Sequence, residues 1–154
     1  MIAVIQRVNS AAVIADGEPA GKIEKGLYIL LGVLCGDTEQ DAELLAEKIC
    51  KLRIFSDENG KMNLSVKDVG GEILTVSNFT LGANYAHGNR PDYFGSAAPE
   101  VASVLYEYFL SRISARMGSA PSGVFGADMR TEMSTDGPVT IVMNSELLKK
   151  GKGK

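Results

Sequence analysis

From Met1 to Ile14 the chain is rich in Val, Ile and Ala with partial alternation of apolar and polar positions, which predicts a long strand. Asp16-Gly17 is a hairpin-type turn, and Glu18 to Ile23 reads as the return strand. Gly26 then opens Leu27-Tyr28-Ile29-Leu30-Leu31-Gly32-Val33-Leu34, a continuous apolar run expected to form a central strand buried on both faces. Gly36-Asp37-Thr38 punctuates the chain. Asp37 or Thr38 can cap a following helix, and Glu39 and Asp41 suit the positive end of its dipole. Ala42, Leu45, Ile49 and Leu52 recur at helical spacing and predict one buried face. Arg53-Ile54-Phe55-Ser56 reads as a short strand, and Asp57-Glu58-Asn59-Gly60 as a turn.

Gly70-Gly71 precedes a further strand, Glu72 to Val76, which runs into Ser77-Asn78-Phe79-Thr80-Leu81. The breakers Gly82, Gly88, Pro91 and Gly95 make residues 82 to 98 an irregular loop. A second helix begins near Pro99, with Val101, Leu105, Phe109 and Ile113 on one stripe and Gly118 as its stop. Residues 119 to 126 are rich in Ser, Gly and Pro. Ala127 to Ser134 and Val139 to Met143 then read as two final strands around Thr135-Asp136-Gly137-Pro138. No repeat or linker divides the chain. The pattern predicts one domain over 1–146 and a disordered, solvated Lys/Gly-rich tail over 147–154. The fold class is α/β, a sheet-rich layered sandwich or part-closed β-barrel with two amphipathic helices on one side.

Composition narrows the chemistry. At 154 residues, 45% hydrophobic and 23% charged, the chain is an ordinary globular domain with enough length to bury a core. No apolar run approaches the roughly 18 residues that span a bilayer, and the N-terminus lacks the pattern of a signal peptide, so a cytoplasmic protein without membrane contact is expected. Cys35 and Cys50 have no metal-ligand or redox spacing and read as small buried hydrophobes in a reducing compartment. The net charge of −3 argues against gripping a long stretch of nucleic-acid backbone, while leaving room for a protein that holds only the end of an RNA. Phosphate-binding, dinucleotide, zinc-protease and nucleophile-elbow motifs are all absent, so neither metal nor cofactor is expected. The lone histidine, His87, sits in a loop, and nothing in its spacing supports a general base. An enzyme built from this chain must draw on backbone groups, hydroxyls and its own substrate.

Two peptides can do so. In Ser77-Asn78-Phe79-Thr80-Leu81 the chain leaves a strand, where backbone N–H groups are free to stabilise an oxyanion. Ser77 and Thr80 add hydroxyls. The plainer reading is a polar strand end with Phe79 and Leu81 packed inward. In Thr135-Asp136-Gly137-Pro138-Val139-Thr140, Gly137 can adopt φ values closed to other residues and Pro138 fixes its own. The plainer reading there is a hairpin turn.

These peptides stand where the D-aminoacyl-tRNA deacylase family carries its paired signatures, SQ-x-x-L and N-x-G-P-x-T, and the sequence resembles that family over essentially its full length. Ile5-Gln6-Arg7-Val8, Arg53 to Ser56 with Lys61-Met62-Asn63, Asn89-Arg90-Pro91-Asp92, and Gly123-Val124-Phe125-Gly126 with Met129 also look like the family, in the right order. Two positions depart from it. Asn78 replaces the usual Gln and is one methylene shorter. Thr135 replaces the usual Asn, as in a sister group whose Gly-Pro bond is trans and whose chiral selection is looser.

The resemblance implies hydrolysis of the ester joining a D-amino acid to the 3′ terminal adenosine of tRNA, by a homodimer in which Gly137-Pro138 of one subunit reaches the other's pocket. It implies a cis bond there, with Arg7 supporting the loop. Catalysis would fall to Thr80, Phe79 and Ser77, through backbone N–H groups near Phe79 and Thr80 and the Thr80 hydroxyl. A 2′-OH of the RNA is the alternative group to position water. Substrate binding would fall to Gly137, Pro138, Asn78, Leu81, Phe125 and Met129, the last two also readable as plain core. A main-chain wall sorts by handedness alone, so glycyl-tRNA should be cleaved too. The competing readings are a serine-type esterase using Ser77 with His87, and a non-catalytic RNA-binding module.

Overall fold

The computed structural model describes residues 1–151 and is built on a five-stranded mixed sheet. Strand β1 (Ile2–Ala15) is its spine. One edge of β1 pairs along its length with β7 (Met129–Asn144), antiparallel. Its other edge takes β3 (Gly26–Gly32) over Ile2 to Val8 and β2 (Glu18–Ile23) over Ala11 to Ala15, both antiparallel. Strand β6 (Glu72–Ser77) extends the sheet parallel to β3. A two-stranded ribbon, β4 (Phe55–Ser56) with β5 (Met62–Leu64), stands apart, joined by the Asn59-Gly60 turn.

The sheet curls. A Cβ on Gly21 would lie 2.7 Å from Leu74 Cδ1 and 2.7 Å from the Ser122 carbonyl, so β2 folds over until it meets β6 and the segment beside it. Val8, Val13, Ile23, Tyr28 and Leu74 fill the space enclosed as a second, smaller core. The main core lies on the other face, where Ala3, Ile5, Leu27, Ile29 and Ile73 pack against helices α1 (Glu39–Lys51) and α2 (Pro99–Met117). The architecture is therefore a part-closed sheet with helices on one side. Glu43 of α1 joins the helices by accepting from Arg112 Nε at 2.6 Å and from Arg116.

Several details differ from the periodicity. Thr38 caps α1, because Asp37 is occupied with the Leu34 N–H and the Met1 amino group, each at 2.6 Å. Val101 is 51% exposed, and Ala102 and Tyr106 take its place on the α2 stripe. Cys35 is exposed, its Sγ facing the Phe94 and Ser96 carbonyls, whereas Cys50 is buried and burial pushes its thiol pKa up. The expected disordered tail instead begins as a third helix, α3 (Ser145–Gly151). Leu148 packs on the core and Lys149 reaches the Asp41 carboxylate at 2.7 Å, which gives these residues tertiary partners. Residues 152–154 of that tail lie outside the described residues. Among the described residues no helix is long and apolar enough to cross a membrane, and no group of three or more His, Cys, Asp or Glu could hold a metal ion.

Candidate functional site

Strand β6 ends at Ser77, and Asn78 makes the last link to β3 by donating its N–H to the Leu31 carbonyl at 2.8 Å. The chain then tightens into a single 3₁₀ turn, Phe79–Gly82, rather than continuing extended. Its cause is local. The Asn78 side-chain oxygen accepts from the Thr80 N–H at 3.2 Å and from the Thr80 hydroxyl at 2.5 Å, an N-cap that favours helical geometry. Leu81 fits beneath because Gly32 has no side chain; a Cβ there would lie 2.7 Å from the Leu81 Cβ.

The cap sorts the backbone donors. Thr80 N–H is engaged by Asn78. Phe79 N–H, the first of the turn, has no partner inside it, as first-turn donors do not. The Phe79 carbonyl is held by the Ser96 hydroxyl at 2.6 Å, and its ring meets Tyr93 edge-on at 5.1 Å between centroids. The Thr80 hydroxyl gives its proton to Asn78 and so keeps its oxygen free to accept. Phe79 and Thr80 are exposed, and Ser77 and Asn78 are half-buried. His87 is exposed, and no hydrogen bond links it to Ser77 among the described residues.

The segment after α2 runs beside β6 in the same direction. Thr75 N–H donates to the Pro121 carbonyl, and Gly123 N–H to the Thr75 carbonyl. This course carries Phe125 toward the Ser77 end, half-buried, its ring 5.8 Å from Tyr106. Burial pushes the Tyr106 phenol up to about 12, and its hydroxyl donates to the Thr75 carbonyl. Met129 opens β7 and packs on the second core, filling space that a side chain on Gly123 would take. Both residues therefore have packing roles of their own.

Gly137 and Pro138 do not sit in a hairpin between two strands. They form a bulge inside one strand: Gln6 pairs with Thr140 and Val8 with Thr135, so residues 136–139 oppose Arg7 alone. Arg7 is largely buried. Its Nη1 donates to the Ile54 carbonyl at 2.7 Å, while Nε meets the Asp136 carboxylate at 3.0 Å and the Asp136 carbonyl at 3.4 Å. One guanidinium thus fixes the bulge to the segment entering β4. Gly137 has φ +127°, and a Cβ would lie 2.7 Å from Val139 N. The Gly137–Pro138 bond is cis, and both residues are exposed.

Arg7 and the Leu27 it faces lie five residues from Gly32, about 17 Å along the strands, and β7 is three strand spacings from β6, about 14 Å. The Gly137-Pro138 bulge, midway along β7, and the turn at the end of β6 are therefore well separated within one chain.

Comparison with known proteins decides the family. A profile described as D-Tyr-tRNA(Tyr) deacylase matches residues 4–144. The chain belongs to the D-Tyr-tRNA(Tyr) deacylase family. A D-aminoacyl-tRNA deacylase of Koribacter versatilis is 52% identical over 146 residues, 95% of this chain and 98% of that protein. One of Thermosipho melanesiensis is 52% identical over 147 residues, 95% and 98%. A solved structure described as c-Myc DNA Unwinding Element Binding Protein superposes with a TM-score of 0.87 at 40% identity, covering 94% of this chain and 98% of that one. For this family member, periodicity missed Ser96, whose sequence setting carries no signal, and the bulge geometry, because a bulge and a hairpin turn share Gly and Pro.

Proposed function

We propose that the protein hydrolyses the ester of D-aminoacyl-tRNA, and of glycyl-tRNA, in the cytoplasm, at a site completed by a second copy of the chain. The observation that carries this reading is the turn at the end of β6, where exposed Phe79, whose N–H has no partner inside the turn, adjoins exposed Thr80 with its hydroxyl. An N–H so placed stabilises the oxyanion formed when water attacks an ester carbonyl. The Thr80 lone pairs, or the 2′-OH of the terminal ribose, orient that water. Phe125 and Met129 take the adenine.

The chirality filter is main chain. A rigid backbone at Gly137-Pro138, held by Arg7, stands against the Cα of the bound amino acid. An L side chain would enter that wall, at about 1–3 kcal/mol or more, and the ester would be misplaced as well. A D side chain points away, and glycine has nothing to exclude. The separation of the two motifs within one chain supports a wall supplied by a partner subunit. So does an aliphatic stripe on the sheet face away from the helices, where Val142 is 70% exposed and aligned across strands with Val4 and Leu30.

Incubation with D-Tyr-tRNA, L-Tyr-tRNA and Gly-tRNA tests the reading. Loss of the D-tyrosyl and glycyl esters with L-Tyr-tRNA intact is expected. Equal loss of both enantiomers contradicts the filter, and no loss of any contradicts the activity.

A further inference from the structure

The chain has five tyrosines and five phenylalanines. Tyr28, Phe55, Tyr106 and Phe109 are buried, and Tyr108 and Phe125 partly so. The remaining four, Phe79, Tyr85, Tyr93 and Phe94, are exposed, and all fall between positions 79 and 94. Tyr85 is 81% exposed and Phe94 88%. Large rings left in water concentrate where a ligand is met.

The loop that displays them is braced. Asn84 and Asp92 exchange backbone hydrogen bonds at 2.8 and 3.0 Å, and the Asn84 side chain donates to the Asp92 carboxylate at 3.0 Å. The other Asp92 oxygen accepts from Phe94 N–H. Beyond the rings, Gly95 accepts from Cys35 N–H, and Ser96 holds the Phe79 carbonyl. Tyr85 and Tyr93 therefore stand on adjoining arms of a fixed ribbon, and Tyr93 touches the Phe79 ring of the catalytic turn. Arg90, between the arms, is exposed and pairs with no carboxylate among the described residues. Rings on a rigid backbone, with an unpaired guanidinium among them, suit stacked bases and their phosphates.

We propose that this aromatic loop seats the unpaired nucleotides that precede the terminal adenosine of the tRNA substrate, with Tyr85 and Phe94 as stacking faces and Arg90 on the phosphates. The inference rests on the deacylase reading and adds a binding surface to it. It is continuous with the turn that would hold the ester. The aliphatic stripe of Val142, Val4 and Leu30 is a separate surface of different chemistry, better suited to a second copy of the chain.

The test compares two D-tyrosyl esters, one on full-length tRNA and one on adenosine alone, for the wild type and for a Tyr85→Ser, Phe94→Ser double variant. Each lost stack should lower kcat/KM on the tRNA ester by roughly tenfold, with the adenosine ester cleaved at the wild-type rate. Tyr85→Phe with Phe94→Tyr should restore the rate on tRNA. Equal losses on both esters, or no loss on either, overturn the platform while leaving the deacylase reading standing. A loss on tRNA that accompanies dissociation of the protein in light scattering makes the loop a contact between copies and also overturns it. A wild type inert on both esters sinks the deacylase reading, and the platform with it.

Discussion

Phe79 contributes two separable things to the turn, an N–H and a ring. Proline is tolerated at a first helical position and removes only the N–H and the ring. Asn78 before it is already extended, at φ −146° and ψ 94°, as a residue preceding proline should be. Phe79→Pro should therefore fold and lose about 10²–10³ in kcat, whereas Phe79→Ala keeps the N–H and should lose far less. Comparable losses in single-turnover assays would remove the N–H from the mechanism. Thr75 offers a stability prediction at the same scale. Its hydroxyl is buried without a partner among the described residues, so Thr75→Val should raise stability by about 1 kcal/mol, read as a higher urea midpoint. Residue chemistry was partly legible in advance. An amide at 78 and a hydroxyl at 80 could be read from the chain; that the shorter Asn would turn inward and cap Thr80 depends on its reach and could not.

At the scale of elements, α1 and α3 share one buried carboxylate. Asp41 accepts from Thr38 N–H at 2.9 Å, closing the capping box, and from Ser145 Oγ and Lys149 Nζ at 2.7 Å each. Burial pushes the Asp41 pKa up, but the hydrogen bonds from Lys149, Ser145 and Thr38 outweigh it and hold it well below the usual carboxylate range. A folded value below the unfolded one means the stabilisation is complete above the unfolded pKa of about 4 and is lost as pH falls through the folded value. Asp41→Asn should cost about 2 kcal/mol at pH 7, with the gap to wild type narrowing below about pH 4 in denaturant titrations. A gap independent of pH would contradict this. The same residues explain what periodicity missed. Lys149-Lys150 reads as solvent-seeking charge until Asp41, distant in sequence, is brought beside Lys149. Gly137-Pro138 reads as a turn because local chemistry cannot reveal that β1 pairs on both sides of it. The apolar strands and the 3.6-residue stripes were legible because burial on one face writes itself into sequence period.

The molecule as a whole holds its two motifs three strands apart in one sheet, and that is the claim on which the chirality filter depends. Val142→Asp on the aliphatic stripe should yield monomers in light scattering that cleave L-Tyr-tRNA as well as D-Tyr-tRNA, since a monomer would have a turn without a wall. A side chain at Gly137 would strike Val139, so Gly137→Ala should remove the filter while Phe79→Pro removes the oxyanion donor. The decisive measurement mixes these two proteins, lets the subunits exchange, and assays L-Tyr-tRNA, which only an intact turn facing a broken wall can cleave. If each wall serves the partner's turn, the intact turn of every mixed dimer meets an intact wall, and L-Tyr-tRNA hydrolysis should fall to about half its value before exchange. If turn and wall belong to the same chain, exchange alters no site, and undiminished L-Tyr-tRNA hydrolysis by exchanged dimers would contradict the account.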